Sequence, residues 1–249
     1  IGGMAGRIIA GTVADFWGWR AAVGSIGVVS LLCSLWFWRT LPPSQNFKPQ
    51  PLNLRRVMAS LLQCLRDPGL VFLYGIAFLV MGGFVTMFNY ISYHLMAAPY
   101  RMSPAILSWV FLLYLTGTFS STWLGRLSDR YGRRRIIFVG IGTQLAGALL
   151  TLAAPLWLVI IGVAVFTFGF FGAHSIASGW VGERAKTDKG AASSLYLFFY
   201  YVGSSVAGTA GGDLWLRYGW PGVVAIVAGF LVVALGVAAL LARRAPAMK

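Results

Sequence analysis

Seven apolar stretches of this chain each have about the length that a helix needs to cross a membrane. Crossing the roughly 30 Å hydrocarbon layer takes about 20 mostly apolar residues. The stretches lie at residues 21–38, 69–95, 105–124, 136–153, 156–181, 190–212 and 220–242. Residues 1–14 are apolar too, but at about 1.5 Å per residue they cover only roughly 21 Å. We therefore expect them to be the end of a further span, and the chain to be part of a longer one.

The composition also indicates a membrane protein. Hydrophobic residues make up 58% of the 249 and charged residues 10%, whereas a soluble domain carries about 25% charged residues. Cys33 and Cys64 form no CxxC pair, and two histidines are too few for a metal cluster. The sequence thus predicts an all-α membrane protein with no metal, no cofactor and no catalytic residues. A cytosolic enzyme, a disordered chain and a disulfide scaffold are excluded.

The positive charges are distributed unevenly between the two sides of the predicted spans. Most of the 20 Lys and Arg residues follow the first, third, fifth and seventh stretches. Only Arg20, Arg101 and Arg217 fall on the other side, and Arg7 lies inside the first apolar stretch. Because positively charged loops stay cytoplasmic, we expect the C-terminus to lie inside the cell. The net charge of +14 then requires no nucleic-acid partner.

The chain contains an internal repeat at a shift of 201 residues. Each copy is a Gly-rich span, a short outer loop ending in Gly-Trp and another span. The matched pairs are Gly2 and Gly203, Gly11 and Gly212, Gly18 and Gly219, Trp19 and Trp220, and Val23 and Val224. A chance alignment of Gly-rich spans is the alternative. The repeat predicts two parallel halves of about 200 residues each, as in one class of secondary transporter.

This repeat divides the chain into four parts. Residues 1–38 end the first half, 39–68 are a cytoplasmic connection, 69–242 form the six-span second half, and 243–249 are a cytoplasmic tail. The connection begins Pro-rich and then has apolar residues at helical spacing: Leu54, Val57, Met58, Leu61, Leu62 and Leu65. This pattern predicts an amphipathic helix, lying either on the inner membrane surface or against the cytoplasmic ends of the spans.

The segment between the third and fourth stretches is the most specific motif. It reads Gly-Arg-Leu-Ser-Asp-Arg-Tyr-Gly-Arg-Arg-Arg from Gly125 to Arg135. A tight inner loop is expected to need Gly at both turns, but that explanation leaves the single Asp among the arginines unexplained. The segment resembles the G-x-L-x-D-R-x-G-R-R signature of the major facilitator superfamily of transporters.

The resemblance implies a carrier with twelve spans. This sequence would then hold the end of span five and the whole of spans six to twelve, with this loop between spans eight and nine. In that family the loop is a conformational latch that holds the two halves in one facing state. The matching latch residues in this sequence are Gly125, Asp129, Arg130, Gly132 and Arg133.

The first apolar stretch gives a second resemblance. Gly2, Gly6 and Gly11 resemble the antiporter signature G-x-x-x-G-P-x-x-G-G of the same superfamily, with departures at Arg7 and Ala10. Gly2 and Gly6 would allow close helix approach. Longer strings resemble the YnfM-like bacterial inner-membrane branch, grouped with arabinose-efflux-type permeases: IGGMAGRIIAG, FVTMFNYISY, YLTGTFSS, FFGAHSIASGW and AASSLYLFFYYVGSSVAGTAGG.

A few polar residues within the spans are candidates for a solute cavity. Ionisable groups inside a membrane are costly and are functional candidates by default. The candidate set is Arg7, Asn89, Tyr90, His174 and Tyr200. Each has a structural alternative: Arg7 paired or snorkelling, His174 neutral and bonded to a hydroxyl, and the tyrosines packing helices.

Together these features predict a secondary transporter that works by alternating access, driven as proton-coupled efflux, with proton-coupled uptake as the alternative. A seven-span receptor leaves the Gly125–Arg135 loop unexplained. A serine hydrolase using His174 and Ser178 lacks an acidic partner and an oxyanion hole. We expect a monomeric, multi-pass protein of the bacterial inner membrane whose partners are lipid, a small-molecule solute and protons. The 249 residues alone are expected not to transport.

Overall fold

A computed structural model describes residues 2–42, 53–185 and 188–244, and within these ranges it contains helices but no strand. The all-α prediction is therefore confirmed. A short 3₁₀ turn at Phe111–Leu113 joins the fourth and fifth helices. The helices are α1 (Gly2–Thr40), α2 (Leu54–Arg66), α3 (Pro68–Met96), α4 (Pro104–Val110), α5 (Tyr114–Tyr131), α6 (Arg133–Leu150), α7 (Leu156–Arg184) and α8 (Lys189–Arg244).

Five helical stretches of the described residues are long and apolar enough to cross a membrane. They are Ala5–Thr40, Pro68–Met96, Pro104–Tyr131, Leu156–Arg184 and Lys189–Arg243. The first and the last are long because α1 and α8 each hold two arms. Helix α6 overlaps the predicted stretch at 136–153 but begins and ends three residues earlier, and three arginines make its first turn polar.

A single glycine separates the two arms of each long helix. Gly18 has φ 81° and ψ 168°, and Gly219 has φ 61° and ψ −148°. These conformations are readily accessible only to glycine. The two glycines are equivalent positions of the 201-residue repeat, so the two copies share this backbone feature.

The chain reverses direction at Gly219. Along the first arm of α8, Gly203 lies against Phe78 and Gly211 against Thr86 and Tyr90, so this arm runs parallel to α3. Along the second arm, Val227 lies beside Gly83 and Val237 beside Gly75, so this arm runs antiparallel to α3. The expected outer loop ending in Gly-Trp is therefore wrong in this copy. Helix continues up to the glycine, whose backbone makes the turn.

Helices α6 and α7 pack antiparallel with their backbones in contact. A Cβ added at Gly147 would lie under 3.0 Å from the Phe166 backbone, and one added at Gly169 would be as close to the Gln144 backbone. Gly140 and Gly162 lie in the same seam. Small residues allow this approach, and helices in a membrane gain van der Waals contact from it.

Two ion pairs fix one end of the bundle. The Arg184 Nη2 lies 2.8 Å from the Asp67 carboxylate, and Arg133 pairs with Glu183. The Asp67 carboxylate also accepts hydrogen bonds from the backbone N–H groups of Gly69 and Leu70, at 2.8 and 3.3 Å. The beginnings of α3 and α6 and the end of α7 thus lie together, which places three of the basic segments at the same end.

Helix α2 docks on the bundle but leaves an apolar face uncovered. Cys64 is buried, and Ser60 lies beside Asp188 at the start of α8. The apolar residues Leu54, Met58 and Leu62 are 72%, 57% and 49% exposed. Both alternatives for this helix therefore keep support: it contacts the bundle ends and still presents an apolar face. Residues 43–52, with most of the Pro-rich part, lie outside the described residues.

Candidate functional site

A narrow cleft, without room for a water molecule, lies between α3, α7 and the first arm of α8 and contains the His174 candidate. The imidazole Nδ1 of His174 lies 3.0 Å from the Tyr196 hydroxyl. The ring centroids of His174 and Tyr200 are 4.9 Å apart. The structural alternative for His174, a bond to a nearby hydroxyl, is thus what the structure contains. The cleft is lined by Ile76, Ala77, Val80, Met81, Phe170, Ala173, His174, Ala177, Tyr196 and Tyr200.

A row of aromatic and polar side chains extends from this cleft to α1. The Tyr114 ring packs edge-on against Phe111 and Phe171, with ring centroids 5.9 and 6.1 Å apart. Phe171 continues through Phe170 to the His174 ring, with centroids 5.1 and 5.9 Å apart. The Arg7 guanidinium also lies over the Phe111 ring, 4.8 Å from its centroid. Arg7, Tyr200 and His174, which the sequence placed on three different spans, therefore belong to one polar–aromatic row.

Asn89 and Tyr90 lie apart from this row. The Tyr90 hydroxyl donates a hydrogen bond to the Gly208 carbonyl at 2.9 Å, which is the packing role given as its alternative. Asn89 is exposed, with its amide nitrogen 3.2 Å from the position that a Cβ on Gly208 would occupy. The structure thus separates the five cavity candidates into two groups.

The latch segment has a different shape from the one the sequence predicted. Gly125 lies within α5, so it is not a turn glycine, and that expectation is wrong. The residues up to Tyr131 keep helical hydrogen bonding, and the Gly132 N–H donates to the Ser128 carbonyl at 2.9 Å. The turn is made by Gly132 alone, at φ 89°.

The charged residues of this segment differ in their contacts. Arg133 pairs with Glu183 on α7, and the Arg130 guanidinium lies 5.3 Å from the Tyr131 ring centroid. Asp129 is exposed, and within the described part of the chain it forms no ion pair and no hydrogen bond. Arg133 therefore anchors the turn to α7, while the Asp129 carboxylate stays accessible.

The glycines of the antiporter-like stretch make few contacts. A Cβ added at Gly11 would collide with the Ser108 hydroxyl on α4, so α1 approaches α4 closely there. A Cβ added at Gly2 or at Gly6 would meet none of the described atoms within 4 Å.

Two structurally important polar residues were missed by the search for ionisable groups. Gln144, fully buried in α6, donates from its Nε2 to the Val80 carbonyl at 3.2 Å. Its Oε1 has no partner among the described atoms. Arg184 pairs with Asp67 at the bundle end. A lone amide within an apolar stretch was the available signal for Gln144, whereas the partner of Arg184 is 117 residues away.

The fold and these positions define a multi-span helical membrane protein with a polar–aromatic row between its helices. A family model described as Major Facilitator Superfamily matches residues 1–96 and 75–249. The chain belongs to the major facilitator superfamily, so the family resemblance is confirmed.

Similar proteins include two bacterial relatives that match nearly the whole chain. The inner membrane transport protein YnfM of Escherichia coli (strain K12) is 49% identical over 244 residues, which are 98% of this chain and 58% of that protein. The uncharacterized MFS-type transporter YybF of Bacillus subtilis (strain 168) is 48% identical over 243 residues, 98% of this chain and 60% of that protein.

A more distant relative is a protein of Helicobacter pylori (strain ATCC 700392 / 26695) named as a probable sugar efflux transporter. It is 28% identical over 202 residues, which are 80% of this chain and 48% of that protein. The chain therefore spans about 60% of the length of YnfM and YybF. This coverage agrees with the expected part of a two-half fold.

Proposed function

We propose that the full-length protein is a secondary active transporter that moves a small solute across the bacterial inner membrane by alternating access. The row from Arg7 through Tyr114 to His174 and Tyr200 is the observation that carries this proposal. Arg7 lies eleven residues before the turn at Gly18, which is roughly 16 Å along a helix. The row thus begins near the middle of the bilayer, where carriers of this architecture bind their solutes.

The latch role of Gly125, Asp129, Arg130, Gly132 and Arg133 is supported by the contacts of the turn. The Arg133–Glu183 ion pair fixes the turn to α7. Asp129 and Arg130 remain exposed and available for reversible pairing with the other half of the protein. A charge pair that forms in only one facing state shifts the equilibrium between the two states.

Exchange of the solute for protons is the proposed form of coupling, with transport directed outwards. Histidine is the side chain that changes charge most readily near neutral pH, and His174 lies within a span beside the Tyr196 hydroxyl. The antiporter-like Gly2, Gly6 and Gly11, and the efflux named for the Helicobacter relative, favour export. Proton-coupled uptake uses the same residues and is the alternative.

The charge distribution supports a cytoplasmic C-terminus and a cytoplasmic latch turn. Lipid, a small solute and protons are the proposed partners, and the full-length protein is proposed to act as a monomer.

Proteoliposomes containing the full-length protein test this function. With a pH-sensitive dye inside the vesicles, addition of a panel of sugars and organic acids is expected to produce solute-dependent proton movement. His174→Gln should abolish the proton signal, whereas His94→Gln, near the other end of the bundle, should leave most of it. A folded protein that moves no solute under any imposed gradient would contradict the proposal.

The direction of solute transport is measured in a separate experiment. Export requires that an inward proton gradient drives solute out of the cell, and accumulation under the same gradient would favour the uptake alternative.

A further inference from the structure

We propose that α2 binds anionic phospholipid of the cytoplasmic leaflet, with its apolar residues among the acyl chains and with Arg55 and Arg66 on the headgroup phosphates. This inference goes beyond the proposed transport function and does not depend on the transported solute. Its basis is the level at which α2 lies on the bundle, together with the arrangement of apolar and basic side chains around the helix.

Two contacts hold α2 across the ends of two spans. Ser60 lies beside Asp188, the residue that precedes α8. One turn later, the buried Cys64 lies beside Tyr74 of α3. The Tyr74 ring is stacked on Phe199 of α8, with centroids 5.6 Å apart. Because residues four apart lie on the same side of a helix, Ser60 and Cys64 define the docked face of α2.

These contacts place α2 at the level where the spans enter the membrane. Helix α3 begins at Pro68, directly after the cap residue Asp67. Tyr74 lies six residues further along, which is roughly 9 Å, and a long side chain on a helix points back towards the helix start. The Tyr74 hydroxyl is thereby directed to the first turns of α3. Helix α2 therefore lies at the membrane boundary, where an amphipathic helix can insert its apolar face.

The exposed apolar face of α2 is separate from the docked face. At 3.6 residues per turn it lies roughly a third of a turn away. Its members are exposed leucines and a methionine: Leu54, Met58, Leu62 and Leu65. The docking contacts orient this face without using it, so it is available to acyl chains at the level where α2 is held.

Two arginines lie at the edge of this apolar face. Arg55 and Arg66 come next to Leu62, on the side away from the docked face, and both are exposed. At such an edge the methylene groups of an arginine stay on apolar surface while its charge reaches the headgroups. A guanidinium pairs with a phosphate through two parallel hydrogen bonds. Arg56 differs, because it lies on the other side of the helix, within reach of the Asp188 charge.

This combination favours a lipid with a net negative charge. Its acyl chains match the apolar face, and its phosphate has no cation of its own to compete with the two arginines. A zwitterionic headgroup carries such a cation. The negative surface potential of the cytoplasmic leaflet attracts basic residues that lie close to it, so the charge of α2 and that of the leaflet are complementary.

Quenching by nitroxide-labelled lipids tests this inference on the full-length protein. A bimane fluorophore is attached at Met58→Cys in a protein without native cysteines, in an equal mixture of phosphatidylglycerol and phosphatidylcholine. One lipid or the other carries the nitroxide on its acyl chain. We expect both to quench, with phosphatidylglycerol stronger by about twofold or more. Gln63→Cys, on the far side of α2, is the matched position and should be quenched little by either lipid.

Two double variants locate the headgroup recognition. Arg55→Gln with Arg66→Gln should remove the preference for phosphatidylglycerol while both lipids still quench. Arg20→Gln with Arg217→Gln removes the same charge from exposed positions next to the turns at Gly18 and Gly219. This control should keep the preference of the parent protein.

No quenching at Met58→Cys by either lipid would mean that another part of the full-length protein covers the apolar face, and would overturn the inference. Equal quenching by the two lipids would overturn the assignment of an anionic lipid. If the arginine variant fails to fold, a salt titration of its parent decides. The preference should fall as salt screens the exposed charges, and a preference that does not change with salt would contradict the role of Arg55 and Arg66.

Discussion

Asp67 contacts two helices through one carboxylate. Its Oδ1 accepts the first free N–H groups of α3 and also faces the Arg184 guanidinium at the end of α7. An acidic cap satisfies backbone donors that have no partner within the helix. Asn53 caps α2 with only one such bond, to the N–H of Arg56 at 3.1 Å, and it is exposed.

We predict that Asp67→Ala destabilises the protein more than Asn53→Ala. Loss of a cap costs about 1 kcal/mol, and the partly exposed ion pair of Asp67 adds up to about 1 kcal/mol. We therefore expect losses of about 2 kcal/mol for Asp67→Ala and about 1 kcal/mol for Asn53→Ala. Thermal unfolding of the full-length protein in detergent measures both, and equal losses would show that Arg184 contributes nothing through Asp67.

At the scale of the helices, the α6–α7 seam depends on glycine at particular positions. Gly147 and Gly142 lie on the same helix, five residues apart. A Cβ at Gly147 would collide with the backbone of α7, whereas one at Gly142 would meet none of the described atoms within 4 Å. The two positions therefore separate the effect of helix propensity from that of packing.

The two alanine variants should differ in their effect on stability. Gly147→Ala should lower the thermal midpoint and the yield of folded protein, because the two helices must separate to admit a methyl group. Gly142→Ala should leave stability unchanged or raise it by up to about 1 kcal/mol, since alanine is the better helix former. The comparison uses full-length variants in the same detergent. A tolerated Gly147→Ala would contradict the close backbone contact.

The docking of α2 can be followed through a single thiol. Burial and the nearby charge of Asp188 raise the pKa of the Cys64 thiol, so little of it is the reactive thiolate at neutral pH. Hydrogen bonding from the Ala191 N–H and the Ser60 side chain lowers the pKa of Asp188. The Asp188 charge therefore supports docking at neutral pH, and its contribution is lost only as the pH falls through that lowered pKa.

We predict that loosening this contact accelerates labelling of Cys64 by a maleimide. In a Cys33→Ser background, Ser60→Ala should raise the labelling rate, because it weakens the docking of α2 and leaves the Asp188 charge in place. Asp188→Asn should raise it further, because it removes both the docking contact and the charge that raises the thiol pKa. Gln63→Ala, at an exposed position of α2, is the control and should label at the original rate. Equal rates for all variants would mean that α2 does not dock through Ser60.

At the scale of the whole molecule, the second arm of α1 is the least covered part. Its apolar side chains are largely exposed, among them Leu31, Leu32, Trp36 and Trp38. Such side chains are available for contact with lipid or with other parts of a longer protein. The described residues thus pack as one bundle from α3 to α8, with α1 resting on α4.

The orientation of this bundle gives a direct prediction. In a full-length protein without native cysteines, Arg135→Cys should react with an impermeant maleimide only after spheroplasts are permeabilised. Tyr218→Cys, next to the turn at Gly219, should react in intact spheroplasts. Both positions are exposed, so accessibility alone does not separate them. The reverse pattern would invert the orientation expected from the charges.

The sequence by itself determined the all-helical class, the positions of the apolar spans and the family. These follow from local properties: the length of an apolar run, the charge of its flanks and the order of residues in one turn. The sequence also predicted the helix at Leu54–Arg66 and the equivalence of Gly18 and Gly219. For the candidate site, the sequence supplied Arg7, His174 and Tyr200 as separate candidates.

Only the tertiary structure decided which of these residues meet. It paired His174 with Tyr196 and Gln144 with the Val80 carbonyl, joined Arg7 to the row and left Asn89 and Tyr90 outside it. It also turned the chain at one glycine where a loop was expected. The reason is physical: an apolar span offers lipid and neighbouring helices similar side chains all round, so its sequence does not specify which face packs. Small residues and single polar groups settle that choice once the helices are together.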